Sequence, residues 1–135
     1  MDKDRQDQMG AQKFDSGKPD LSLVPLVAME QMSLALMAGE GKYGRWNFCG
    51  GMEAGRLVGA ALRHILKWYS QGIDYDQDCS ERTGHQVSHL GCALANLAML
   101  LEMQRLGTIT DDRYQPPEAQ VTPIIPRREV PNDQD

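Results

Sequence analysis

The stretch from Thr83 to Gly107, TGHQVSHLGCALANLAMLLEMQRLG, decides the fold. Val87, Leu90, Leu94, Leu97 and Leu101 recur at helical spacing and form one apolar stripe. His85, His89, Cys92 and Asn96 follow at i, i+4, i+7 and i+11, a second line on the opposite side of the same helix. Ala93, Met99, Leu100 and Met103 flank or continue that second line. A helix that is apolar nearly all round is expected to be buried all round. Thr83 suits the cap and Gly107 the stop, so the pattern predicts one continuous helix from about Thr83 to Leu106.

Upstream, Leu57, Val58, Ala61, Leu62, Ile65, Trp68 and Tyr69 predict a helix over roughly Glu53 to Ser70, with Arg56, Arg63 and Lys67 off its stripe. A further helix is predicted from Pro25, a residue suited to the first turn, to Gly39 through Leu26, Val27, Met29, Met32, Leu36 and Met37. No part of this core alternates with period two for long, so the fold class is all-α. With only three long helices in 135 residues, the last one needs a partner from another copy. The expectation is therefore a helical bundle completed by homo-oligomerisation, as dimer or tetramer, with the two histidines at or near a pocket or interface.

The remaining chain divides simply. Residues 1–12 are polar and aperiodic and are expected to be flexible; 13–107 form the helical domain. Five of the seven prolines fall after Thr108, which predicts an extended Pro-rich tail over 108–135, with Val121, Ile124 and Ile125 able to strap onto a neighbouring surface.

Composition excludes several classes of function. A net charge of −5 argues against sequence-independent grip on nucleic acid, which needs clustered basic surface. No apolar run approaches the roughly 20 residues of a membrane helix, and the polar start MDKDRQDQ is no secretory signal. Cys49, Cys79 and Cys92 are odd in number with no CxxC, so neither a disulfide framework nor a zinc knuckle is indicated, and the expected location is the cytoplasm.

Chemistry concentrates in a few segments. Asp74, Asp76, Asp78 and Glu81 crowd the loop after the second helix and repel one another unless water or a cation screens them. Hard divalent cations such as Mg²⁺ or Mn²⁺ take such oxygens, while a solvated acidic loop is the alternative. A calcium loop is excluded, since Cys79 stands where glycine is required and His85 where the closing glutamate belongs. His85 and His89 at i and i+4 suit one metal ion or hydrogen-bonded packing. Arg63 and Lys67 repel each other at i,i+4 and so favour a shared anion such as phosphate, or a solvated basic edge. Glu30 interrupts an apolar helix and needs a partner, an ion or a surface position. Gly39-Glu-Gly-Lys42-Tyr43-Gly44-Arg-Trp46-Asn47 combines glycines, aromatic faces and cations in one short loop, suited to a nucleotide or to a plain turn. Lys13-Phe-Asp-Ser-Gly-Lys18 reads the same way, and neither is a Walker loop.

In this order, KFDSGKPDLSLVP (13–25), AMEQ (28–31), GEGKYGRWN (39–47), GMEAGRLVGAALRHILKW (51–68) and HLGCALANLAMLLE (89–102) resemble a phage and bacterial family of MazG-like dATP/dGTP diphosphohydrolases. The resemblance implies an all-α, oligomeric enzyme that binds a purine deoxynucleoside triphosphate and a divalent cation, Mg²⁺ or Mn²⁺. It would release the monophosphate and pyrophosphate. By that similarity Lys18, Lys42, Trp46, Asn47, Arg63 and His64 contact nucleotide, while Asp74, Asp76 and His89 belong to the metal and water site; the spacing of Arg63 and Lys67 adds Lys67 to the substrate-binding set. The sequence departs from the family pattern at Gly72-Ile73, where Gly-Glu is usual, at Cys92, where a second histidine is usual, and at Trp46-Asn47, whose order is reversed.

Together these readings give Glu30, Asp74 and Asp76 as metal ligands and Asp76, His89 and Arg63 as the catalytic group. The rival from another class is a non-catalytic helical assembly protein, its acidic loop and histidines mere surface decoration.

Overall fold

The computed structural model describes residues 10–117. Among these are four α-helices and no strand: α1 (Leu26–Tyr43), α2 (Ala54–Tyr69), α3 (Gln77–Thr83) and α4 (His89–Leu106), with 3₁₀ turns at Leu21–Leu23 and Asn47–Gly50. The all-α class is as expected.

Helix α4 is the axis of the domain, packed on α1, on α2 and on the second 3₁₀ turn, while α3 leans on α1. The face that α4 buries is the one carrying His89, Cys92, Asn96 and Met103. Small side chains fill this core: Ala35, Val87, Cys92 and Ala95, with Met32, Leu34, Leu36 and Cys79 against them. Gly91 explains the close approach of α1 and α4. A Cβ there would lie 2.8 Å from the Gln31 carbonyl oxygen, so only glycine fits without parting the helices.

The boundaries correct three expectations. The last helix is not continuous from Thr83. Gly84 turns left-handed at φ 71° and ends α3, and residues 85–88 run without helix before Ser88 caps α4, its Oγ accepting from the Leu90 N–H (3.1 Å). His85 therefore lies off α4, and its i,i+4 relation to His89 is not a helical one. The acidic loop is likewise shorter than read, because Asp76 caps α3 and Asp78 and Glu81 lie within that helix. Helix α1 runs past Gly39 to Tyr43, so most of the glycine-rich segment is helical; Gly44, at φ 87°, ends it. A glycine in a helix interior costs roughly 1 kcal/mol, too little to break a helix that is packed.

The Leu90, Leu94, Leu97 and Leu101 stripe was expected to pack, yet in the single chain these side chains are between 38% and 68% exposed. Val58, Leu62, Ile65 and Trp68 of α2 are also exposed. After Gly107 the chain returns to the start of α2: the Ala54 N–H donates to the Thr110 carbonyl (3.0 Å), and the Gly55 N–H to Asp112 Oδ1 (2.9 Å). Residues 111–117 form neither helix nor strand. Residues 1–9 and 118–135, with Val121, Ile124 and Ile125, lie outside the described residues.

Candidate functional site

Three elements meet at the N-terminus of α4. His64 comes from the middle of α2, Asp76 from the cap of α3, and His89 is the first residue of α4. The backbone sets this junction. The Asp76 N–H donates to the Val87 carbonyl (2.8 Å), and the His89 N–H donates to the Asp74 carbonyl (3.0 Å). Gln31 on α1 clasps the same strand-like stretch: its Nε2 donates to the Gln86 carbonyl (3.1 Å), and its Oε1 accepts from the Ser88 N–H (2.7 Å).

The side chains converge closely. His64 Nδ1 and His89 Nδ1 are 2.8 Å apart, and Asp76 Oδ2 lies 3.9 Å from the first and 3.7 Å from the second. The point equidistant from these three atoms is about 2.1 Å from each, a metal–nitrogen or metal–oxygen bond length. The donor set therefore fits a divalent ion. His89 is 2% exposed. Burial is the main influence pushing both imidazoles below the usual histidine range, against the pull of Asp76; Lys67 pushes the same way on both, and His89 and Arg63 do so on His64. Neutral imidazoles are the form that binds a metal. Burial also opposes ionisation of Asp76, but the Cys79 N–H and the two imidazoles outweigh it and hold the carboxyl below its usual range.

A second donor group shares Asp76. Its carboxylate, Cys79 Sγ and Cys92 Sγ offer ligand atoms all within 4.8 Å of one another. The Cys92 thiol donates to Cys79 Sγ at 3.9 Å, which raises the Cys92 thiol and lowers that of Cys79. Sequence reasoning passed over both cysteines for want of a CxxC. The available signal was a repeated i,i+3 spacing, Asp76/Cys79 and His89/Cys92, each at the start of a helix.

The other expected residues distribute unevenly. Lys42, at the end of α1, reaches α3 and pairs with Asp78 (2.5 Å), which also accepts from Arg82 Nε (3.0 Å). Arg63 and Lys67 flank His64 on α2, both exposed. Lys18 is exposed in a turn closed by its N–H to the Asp15 carbonyl (3.0 Å). Trp46 holds a left-handed φ of 63° and leads into the 3₁₀ turn beside the C-terminal end of α4, where a Cβ on Gly51 would strike the Thr108 carbonyl. Trp46 and Asn47 thus stand apart from His89 in one chain. Neither Glu30 nor Asp74 belongs to a metal-capable group among the described residues. Glu30 is exposed on α1 and lines a groove of about 390 Å³ with Leu26, Met29, Ser33, Leu34 and His85. Asp74 contributes its carbonyl to His89 and keeps its residue surface exposed.

Fold and site together define a small helical protein with an imidazole–carboxylate centre. The chain belongs to the family described as dATP/dGTP diphosphohydrolase, N-terminal, which it matches over residues 8–113. It is 34% identical over 102 residues to a dATP/dGTP diphosphohydrolase of Salmonella phage PMBT28. That match covers 75% of this chain and 32% of the relative, so the chain spans about a third of the length of the curated relative it matches. No solved structure matches. No described helix is long and apolar enough to cross a membrane.

Proposed function

We propose that this chain hydrolyses purine deoxynucleoside triphosphates, dGTP or dATP, to the monophosphate and pyrophosphate with Mg²⁺ or Mn²⁺. The observation that carries this reading is the convergence of His64 Nδ1, Asp76 Oδ2 and His89 Nδ1 within 3.9 Å, in a chain of a diphosphohydrolase family. Asp76, His64 and His89 would hold the cation. Two nitrogen donors favour Mn²⁺ over Mg²⁺, which prefers oxygen ligands and gives up its waters reluctantly. When bound, the cation neutralises triphosphate charge and makes a water more acidic.

The protein's own groups do the rest. Asp76 is fixed by the Cys79 N–H and so presents its second oxygen to the imidazoles (2.8 Å for the capping bond). Arg63 and Lys67 offer cations beside that centre for phosphate oxygens, and charge on the leaving pyrophosphate is met by Lys42 and Lys18. Lys42 must then exchange its contact with Asp78 for phosphate. Trp46 supplies a face for the base and Asn47 a polar partner for its edge. Because these two stand at the far end of α4, the nucleotide site is completed by a second copy. The exposed leucine stripe of α4 and the apolar face of α2 are the surfaces for a dimer or tetramer. Neither nucleic acid nor membrane is a partner in this reading, and the setting is the cytoplasm, that of the host where a phage encodes the chain.

Incubating the full chain with each deoxynucleoside triphosphate and either cation, then measuring pyrophosphate and monophosphate, tests the proposal. Stoichiometric pyrophosphate from dGTP or dATP is expected. No release with any nucleotide would leave the non-catalytic assembly reading in its place.

A further inference from the structure

We propose that Asp76, Cys79 and Cys92 form a second cation site, one that takes a thiophilic divalent ion of the zinc and cadmium class. This goes beyond the hydrolytic reading and does not depend on it, since it concerns binding alone.

The geometry is that of a ligand pair. Two sulfurs each about 2.3 Å from a tetrahedral ion stand about 3.8 Å apart. Cys79 Sγ and Cys92 Sγ stand 3.9 Å apart. A disulfide would need them to close to about 2.05 Å, so the present spacing suits a shared ion far better than a covalent bond. The Asp76 carboxylate lies within 4.8 Å of both sulfurs and supplies the third donor.

The backbone behind these donors is pinned. Asp76 and Cys79 occupy the first turn of α3, where the Cys79 N–H donates to Asp76 Oδ1 (2.8 Å) and the Cys79 carbonyl accepts from Thr83 Oγ1 (2.9 Å). The Cys92 carbonyl accepts from the buried Asn96 Nδ2 (2.8 Å). Around the sulfurs pack Ala35, Val87 and Ala95. Cys92 is buried and Cys79 half-buried, a setting that disfavours a strongly hydrated hard ion and suits a soft one held by thiolates. Cys49, in the second 3₁₀ turn, belongs to no such group among the described residues. An ion at this site would tie the start of α3 to the start of α4, the two elements that carry Asp76 and His89.

The test uses the full chain, reduced and stripped of metal with a chelator, then titrated with Co²⁺. A sulfur-to-metal charge-transfer band should grow to one ion per chain, vanish on adding Zn²⁺ and survive excess Mg²⁺. Cys79→Ser and Cys92→Ser should each lose the band, and Cys49→Ser should keep it. A second measurement needs no variant: Zn²⁺ should slow alkylation of Cys79 and Cys92 by about tenfold or more while leaving Cys49 unprotected, read by peptide mass spectrometry. The proposal is overturned if the unmodified protein gives no band, if the band survives both serine variants, or if Zn²⁺ protects all three cysteines alike. Recovery of a Cys79–Cys92 disulfide in place of metal uptake would also overturn it. Pyrophosphate release is measured separately, so failure of the thiolate site and failure of the hydrolytic reading are told apart.

Discussion

Replacing Asp76 separates helix capping from the role proposed for its carboxylate beside the imidazoles. Its Oδ1 caps α3 through the Cys79 N–H at 2.8 Å, and its Oδ2 faces the imidazoles at 3.7 and 3.9 Å. Asparagine caps a helix about as well as aspartate, so Asp76→Asn keeps the first task and removes only the charge. Alanine removes both, at a cap cost of about 1 kcal/mol. For a domain of this size that lowers the melting temperature by about 4 °C, whereas the asparagine variant should melt within about 2 °C of the parent. Cation binding should not follow that ranking. Loss of even an outer partner of a metal ligand costs about 10- to 100-fold in affinity, and in the proposed centre Asp76 would be a direct donor. Both variants should therefore bind Mn²⁺ at least about 100-fold more weakly and lose turnover. Thermal melts of the cation-free proteins, Mn²⁺ titration calorimetry and pyrophosphate release provide the three readouts. An asparagine variant that binds Mn²⁺ and turns over like the parent would refute the assignment of Asp76 to the centre.

Gly91→Ala should destabilise the fold by about 2 kcal/mol, because overpacking against the Gln31 backbone outweighs the better helix propensity of alanine, whereas Gly39→Ala, with open space around it, should stabilise by about 0.5–1 kcal/mol; denaturant melts of the pair decide it, and equal signs would contradict the close helix crossing. The cation-free protein should lose stability as pH falls below 6.5: His64 and His89 both have lowered folded values, so the unfolded chain takes up their protons first. Urea melts at pH 7.5 and 5.5 test this, and greater stability at the lower pH would reverse the sign. Leu97→Glu puts a charge into the exposed α4 stripe and should reduce the proposed dimer or tetramer to monomers by light scattering; an unchanged mass would exclude that stripe as the contact.

Helical periodicity carried the fold a long way. Leu57 and Ala61 are buried in the first half of the predicted second helix, whose ends differ from the expectation by no more than a residue. The breaks were harder to read. Gly84 ends a helix while Gly39 and Gly41 do not: α1 packs on both α4 and α3, whereas the left-handed turn at Gly84 lets residues 85–88 pair back through Asp76 and Val87. The rotation of α4 was equally hidden, because a helix apolar on most sides does not announce which side faces inward. The line of His89, Cys92 and Asn96 is the buried one.

From the amino-acid order alone came the all-helical class, the extent of α2, the family resemblance, and the naming of Asp76, His64 and His89 among the candidate residues. The helical class and the extent of α2 follow from local spacing and side-chain type, which act over a few turns of chain, whereas the roles of His64 and His89 came with the family resemblance. Only the tertiary structure decided that His64 faces His89 from 25 residues away, that Asp76 joins them, and that Cys79 meets Cys92 across two helices. Such meetings depend on the crossing of α2 and α4 and on the turn at Gly84, and no periodicity encodes where two helices cross.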